Sequence, residues 1–235
     1  MLVIVPSRGR PDNIKALYEA FRETSTGSDT YLVVAVDEDD PKLDEYLALA
    51  DSPYPPAYAC TQVGPRLRLG GTLNKTAAFA IEHDLLGSHN LIGFMGDDHR
   101  PRTRGWDVEI MQAHRVFGDG VVYGNDLIQG QNLPTAAFIS TWIIRTLGYM
   151  VPPRLIHLYI DNAWKSIGEG MGRLTYLPDV IIEHMHPIAG KAEWDAGYNE
   201  ANSADINQTD HDTYDHWVAT GLPMDIIKLR EAGLC

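Results

Sequence analysis

The stretch Phe94-Met95-Gly96-Asp97-Asp98-His99 puts two adjacent carboxylates and an imidazole directly after an apolar run, with Arg100, Arg102 and Arg104 close behind. Carboxylates held side by side repel one another and lose hydration, so a purely structural turn gains little from them. A hard divalent cation such as Mg2+ or Mn2+ removes that penalty by taking oxygen ligands, and it can then bridge to phosphate oxygens. For the pair alone, a solvated Asp-Asp turn is the plainer reading. His184 and His186 change the weighting. They stand two apart in Val-Ile-Ile-Glu-His-Met-His-Pro, so in a strand both point to one face, and an imidazole can complete an oxygen-rich site that prefers Mn2+. Spacing alone leaves open which of the two binds.

Cations accompany the acids. Arg8 and Arg10 follow the first apolar run, Arg66 and Arg68 precede Gly70-Gly71, and Lys75 opens a helix whose N-terminal amides favour phosphate. Gly-Gly-Thr-Leu-Asn-Lys-Thr lacks the spacing of a P-loop, which argues against P-loop hydrolysis. Asp161 is a lone acid in Leu-Tyr-Ile-Asp-Asn-Ala-Trp, a setting that raises a carboxyl pKa and suits a general base. The same residue would serve equally well as a helix N-cap.

These groups need a scaffold that gathers strand ends. Leu2 to Val5 reads as a strand, ended by Pro6, Ser7, Arg8, Gly9, Arg10 and Pro11. Ile14, Leu17, Tyr18 and Phe21 then recur at helical spacing behind Asp12 or Asn13, and Tyr31 to Val36 forms a second strand ending in Asp37, Glu38, Asp39 and Asp40. Strand, helix, strand implies a parallel pair with a right-handed crossover. Proline-rich residues 51–65 read as loop, and Gly70-Gly71 as a turn before a helix bearing Leu73, Ala77, Ala80 and Ile81. Leu91 to Met95 is a strand running into the acidic pair, with further apolar runs at Val121–Tyr123 and Ala136–Ile144. A helix near 159–168, a strand over 177–187 and a short amphipathic helix over 223–232 complete the expectation. Alternating strands and helices make an α/β protein with a partly mixed sheet, and its ligand should lie beyond the carboxyl ends of the strands.

At 235 residues, without a linker-like stretch, the chain reads as one domain with a C-terminal appendage. No apolar run nears the roughly 20 residues that span a bilayer, and the N-terminus reads as a strand rather than a signal peptide. Two cysteines, Cys60 and Cys235, permit at most one bridge, consistent with a reducing cytoplasm. A net charge of -13 argues against wrapping a long nucleic acid, although 19 Lys and Arg could still form a local basic mouth. No heptad or apolar edge marks an oligomer interface.

Taken in order, Val-Pro-Ser-Arg-Gly-Arg-Pro, Val-Asp-Glu-Asp-Asp, Gly-Gly-Thr-Leu-Asn-Lys, Met-Gly-Asp-Asp-His, Tyr-Ile-Asp-Asn-Ala-Trp, and Glu-His-Met-His-Pro followed by Gly-Lys-Ala-Glu-Trp-Asp span roughly residues 1–200. This order resembles that of the GT-A-fold, family-2-like nucleotide-sugar glycosyltransferases, especially the short versions encoded by phages and prophages. The resemblance implies a Rossmann-like GT-A fold with a central, mostly parallel but mixed sheet flanked by helices. It implies a GT-A domain over 1–190 and a C-terminal lid or acceptor-side tail over 191–235, in the host cytoplasm if phage-encoded. Pro6, Ser7 and Arg8 with Asp37 and Asp39 would line the pocket for the nucleotide, with a UDP-sugar as the implied donor. Arg66 and Lys75, with Asn74 beside them, would face the diphosphate. Asp98 would be the principal ligand of Mn2+ or Mg2+, assisted by Asp97, with His184 or His186 closing the shell. Asp161 would take the acceptor's proton for in-line attack with inversion, and Lys191 would stabilise the leaving diphosphate from a mobile loop.

Two departures stand out. The motif is Gly-Asp-Asp-His rather than Asp-X-Asp, and Ile160 replaces the usual glutamate before Asp161, which leaves a retaining mechanism open. The implied acceptor is a hydroxymethylated pyrimidine of phage DNA, with Arg100, Arg102 and Arg104 on phosphates, or a glycan. Trp194, Tyr198, Tyr214 and Trp217 would stack on a sugar or a flipped base, or else pin the tail to the domain. A nucleotidyltransferase and a non-catalytic nucleotide-sugar-binding protein are the competing readings.

Overall fold

The computed structural model describes residues 1–27, 29–56, 58–85 and 90–233. Strand β1 (Leu2–Ser7) sends Leu2 and Ile4 into one hydrophobic core and Val3 and Val5 into another, because successive strand residues point to opposite faces. Both faces therefore need cover. Helix α1 (Pro11–Thr24) covers one with Ile14, Leu17, Tyr18 and Phe21, and it starts at a proline whose missing N–H costs nothing in a first turn. Strand β2 (Tyr31–Asp37) returns parallel to β1, with Ser7 opposite Val36. After α2 (Leu43–Ala50) comes β3 (Ala59–Gly64), parallel to β2.

β3 falls within the segment expected to be loop. It is an edge strand whose side chains are all half-buried or exposed, so it carries no apolar run, and Pro55-Pro56 just ahead of it reads as loop. Helix α3 (Arg68–Glu82) also differs from expectation, since Gly70 and Gly71 lie inside it rather than forming a turn. Strand β4 (Leu91–Phe94) then pairs parallel to β1 on the other side.

From here the sheet becomes mixed. Strand β5 (His99–Pro101) is followed by α4 (Trp106–Phe117), whose Trp106, Ile110 and Ala113 bury beside Phe21 and Phe138. That periodicity was present in the sequence, but the helix was not anticipated. Strand β6 (Val121–Asn125) precedes β7 (Ala137–Ser140) and α5 (Thr141–Leu147), which divide the apolar run 136–144 between them. A short apolar run does not by itself distinguish a strand from a buried helix turn. Next come α6 (Ile160–Met171), β8 (Leu174–His184), α7 (Ala196–Ala201) and α8 (Ala204–Glu231).

The sheet order is β3-β2-β1-β4-β7-β6-β8-β5. Among the described residues four of the seven pairings are parallel, and β4–β7, β6–β7 and β5–β8 are antiparallel. β5 pairs with β8 so that His99 stands opposite His184, which brings the acidic turn to the histidine-bearing strand.

The helix expected over 223–232 is the end of the much longer α8, which continues through Pro223. A proline normally breaks a helix by removing a hydrogen bond. Here Trp217 before it and Ile226 and Leu229 after it enter the same core as Leu2 and Ile4, and packing outweighs the lost bond. Tyr149 and Trp217 both donate to the buried carboxylate of Asp225, while Ser166 and Tyr214 hydroxyls meet at 2.9 Å. Tyr214 and Trp217 thus pin the helix to the domain. Asp225→Ala is expected to cost about 2–3 kcal/mol in denaturant unfolding, because it strands two buried donors.

Cys60 is free and exposed, and Cys235 lies outside the described residues. Among the described residues no helix is long and apolar enough to cross a membrane.

Candidate active site

The ends of β1, β2 and β4 open onto one cleft of about 480 Å³. The turn after β4 forms its floor. Asp97 is buried, and its Oδ2 accepts from Ser7 Oγ at 2.7 Å while Arg10 Nη1 lies 3.4 Å from its Oδ1. Burial and the neighbouring Asp98 push the Asp97 carboxyl pKa up, against Arg10.

Asp98 is the more anionic of the pair. His184 Nε2 lies 3.2 Å from its Oδ2, and the Tyr198 hydroxyl donates to the same oxygen at 2.7 Å. Burial opposes ionisation, yet the hydrogen bond from His184 holds the Asp98 carboxyl well below the usual range. The donor atoms of Asp98, His99 and His184 all lie within 4.8 Å of one another. His99 Nδ1 already accepts the Gly96 N–H at 2.9 Å, which places its proton on Nε2, a buried atom without a partner among the described residues. Its ring stacks on His184 at 4.2 Å. Asp98 and His184 therefore offer the better lone pairs for a cation, with His99 packed against them.

The choice between the two histidines is made by where the strand stops. β8 ends at His184, so the two-residue periodicity does not extend to His186. His186 Nδ1 instead accepts the Ile188 N–H at 3.2 Å, and its ring sits against Trp194 and Tyr198 at the cleft mouth. Behind His184, Asp126 Oδ2 lies 4.0 Å from Nδ1, and that acid is itself held by the Ile128, Gln129 and Gly130 N–H groups and Thr135 Oγ1. Asp126 follows an apolar run just as Asp97 does, and that was the available signal for it.

On the opposite wall, Pro6, Ser7, Arg8 and Asp37 line the cleft. Arg8 Nη1 binds Asp37 at 3.0 Å and the exposed Asp39 at 2.6 Å. Arg66 and Arg68 also face the cleft, and both donate to Glu200 of α7. Arg10 grips Asp195 through Nε and Nη2 at 2.7 and 2.6 Å, and its guanidinium lies 3.8 Å over the Tyr198 ring. Residues 195–200 therefore cross the cleft and touch its acid and three of its arginines. Arg10 and Tyr198 are legible as a strand-end cation and a tail aromatic, whereas Asp195 and Glu200 carry no local signal of their role.

Asp161 sits in the first turn of α6 and lines the cleft half-buried. The N-cap position belongs to Tyr159, so the capping alternative does not hold. Loss of hydration pushes the Asp161 carboxyl pKa up to about 7, with His184 opposing.

Three expected diphosphate contacts lie elsewhere. Asn74 spends its amide on the backbone of residues 150–151, donating to the Val151 carbonyl at 2.9 Å and accepting the Met150 and Val151 N–H groups at 2.8 Å each. Lys75 is exposed one helical step further round α3, with its ammonium near Gly64 rather than in the cleft. Lys191 binds Glu183 at 2.7 Å and lines a separate hollow with Arg100 and Arg102. Arg100 is buried on the carbonyls of Asp97 and His99, and Arg102 binds Glu183 at 2.8 Å.

No protein-family model matches the sequence, and no curated protein matches it. Similarity appears among solved structures. The mannosyltransferase PcManGT from Pyrobaculum calidifontis, in complex with GDP-Man and Mn2+, aligns over 98% of this chain and 73% of its own at TM-score 0.57 and 13% identity. S. aureus TarS 1–349 in complex with UDP-GlcNAc aligns over 85% and 63% at TM-score 0.55 and 11% identity. Glucosyl-3-phosphoglycerate synthase from Mycobacterium tuberculosis, with Mn2+, UDP and its product, aligns over 79% and 71% at 0.51 and 12%. The chain spans 35% of the longer TarS structure. Its architecture is the GT-A fold: a mixed, eight-stranded α/β sheet flanked by helices. The cleft lies at the strand ends where such folds hold their ligands.

Proposed function

We propose that this protein is a glycosyltransferase that moves a sugar from a nucleoside-diphosphate donor, a UDP-sugar in the first instance, to a hydroxyl acceptor. The observation that carries the reading is the buried Asp98 carboxylate with His184 Nε2 at 3.2 Å, at the strand ends of a GT-A fold and in one cleft with Asp161. Imidazole beside a buried carboxylate suits Mn2+, or Mg2+ with more water in its shell. Asp98 and His184 would hold the ion, with Asp97 anchoring the turn beneath it. When bound, the ion supplies positive charge to the diphosphate as it leaves.

The remaining steps fall to the chain's own groups. Pro6, Ser7, Arg8 and Asp37 form the wall for the nucleoside, and Asp39 tethers Arg8 from the rim. Arg66, Arg68 and Arg10 face the diphosphate. Asp161 accepts the acceptor hydroxyl's proton while the new C–O bond forms at the anomeric carbon, and the donor's anomeric C–O bond breaks with its electron pair going to the diphosphate. A base on the acceptor side is the arrangement of inverting transfer.

A carbohydrate hydroxyl is favoured over DNA as acceptor. Arg100 and Arg102, which would meet phosphates, are engaged within the protein, whereas the exposed Trp194 ring stands against His186 of the cleft lining.

Titration calorimetry with UDP and GDP, with and without Mn2+, tests the donor site. Metal-dependent binding is expected, and no binding under either condition sinks the reading. Pyrophosphate release from a nucleoside triphosphate and a sugar phosphate would transfer it to nucleotidyl chemistry. Glu200 offers a further check, since its carboxylate occupies the arginines assigned to the diphosphate. Freeing two partly exposed ion pairs, Glu200→Gln is expected to tighten UDP binding by about three- to tenfold. Unchanged or weaker binding would remove Arg66 and Arg68 from the donor site.

A further inference from the structure

The long C-terminal helix enters the cleft wall through one acid. Asp210 is fully buried, and its carboxylate accepts three consecutive backbone N–H groups: Ile156 at 2.7 Å, His157 at 2.8 Å and Leu158 at 2.7 Å. A run of amides turned onto one carboxylate is the arrangement that binds anions elsewhere, here filled from within the chain. The same segment is fastened from its other side. Gly70 N–H donates to the Ile156 carbonyl at 3.0 Å, and a Cβ at Gly70 would stand 2.1 Å from the Leu155 carbonyl oxygen, so only glycine allows that approach.

The chain then passes through Tyr159 in a left-handed conformation (φ 60) before α6 begins. For a non-glycine residue that conformation costs roughly 1–2 kcal/mol, so surrounding contacts must hold it. α8 supplies them: Tyr214 stacks on the Tyr159 ring at 5.5 Å and His211 meets its edge at 5.5 Å. Asp161 follows two residues later, and His157 lies on the cleft wall beside it.

We infer that Asp210 is a positioning residue for the reaction centre, acting through the amides of 156–158 to set the direction in which Asp161 faces the cleft. The inference rests on the glycosyl-transfer reading. Fastening α8 to the domain is not the function of Asp210, because Trp217, Asp225, Ile226 and Leu229 do that independently a few turns along. Loss of the Asp210 carboxylate should therefore release residues 156–161 without detaching the helix.

Asp210→Ala and the isosteric Asp210→Asn test this in the full chain by amide hydrogen exchange, calorimetry with UDP and Mn2+, and donor turnover. In Asp210→Ala, exchange over 156–161 should rise by about tenfold or more, with β1 and β4 unchanged, as expected of local opening. UDP affinity should hold while kcat falls by about a hundredfold, the scale of an ångström's misplacement. Asp210→Asn, which keeps one accepting oxygen, should fall between the variant and the wild type. Unchanged exchange over 156–161 would overturn the inference, as would a parallel fall of UDP affinity, turnover and Tm. If the wild-type protein itself binds no nucleoside diphosphate, the glycosyl-transfer reading fails separately, and the exchange measurement still decides whether Asp210 holds the segment.

Discussion

Asp98→Ala is expected to abolish Mn2+-dependent binding of UDP and to lower turnover by about a thousandfold or more, the scale seen when a preorganised electrostatic contact is removed from a reaction centre. The size of the effect follows from what surrounds the carboxylate. His184 Nε2 and the Tyr198 hydroxyl both converge on its Oδ2, which makes it the carboxylate beside the imidazole offered to the ion. Asp97 is turned away, with Ser7 and Arg10 on its oxygens and its pKa raised by burial. Asp97→Asn should therefore weaken binding less than Asp98→Asn does. Calorimetry on both variants measures the contrast, and equal losses would mean that the two acids share the ion.

The second large effect concerns Asp161, and it has opposite signs for rate and for stability. Asp161→Asn removes the proposed proton acceptor and is expected to cost about 10²- to 10⁴-fold in kcat, the usual contribution of general-base catalysis, with little change in UDP affinity. In the wild type, a carboxyl with its pKa at about 7 is protonated below that pH and unable to act as a base. The rate should rise with pH through that region and level off above it, and this limb should vanish in Asp161→Asn.

For stability the linkage runs the other way. The folded pKa lies above the unfolded carboxylate value, so ionisation disfavours the fold increasingly as pH rises from about 4 through about 7. Asp161→Asn should raise Tm at pH 8, by about 2–4 °C for each kcal/mol relieved in a chain of this size, and leave it unchanged near pH 3. A variant that loses both turnover and stability at pH 8 would show Asp161 to be structural.

Much of the site could be read from the chain because chemistry was concentrated at strand ends. Pro6 to Arg10, Asp37 and Asp97–His99 each follow an apolar run, and the fold brings those ends together at one cleft. The structure departs from the sequence pattern at α3, β3 and α4, each for its own physical reason. Asn74 and Lys75 lie on a helix, where each residue turns the side chain by about a quarter of a circle, and the phase of α3 depends on its start at Arg68 rather than after Gly71. β3 and α4 were missed because one is a half-exposed edge and the other lies directly behind a motif that reads as loop.

By itself the sequence determined the α/β layering, the first parallel unit and the identity of the acids and histidines able to hold a cation, because periodicity and local residue chemistry encode these within a few residues. Tertiary structure alone decided that His184 rather than His186 meets Asp98, that Arg100, Arg102 and Lys191 are engaged elsewhere, and that Asp195, Tyr198, Glu200 and Asp210 reach back to the cleft from the end of the chain. The contacts of His184, Asp195, Tyr198, Glu200 and Asp210 join residues separated by 53 to 185 positions. They follow from where strands stop and how a long helix docks, which no local pattern specifies.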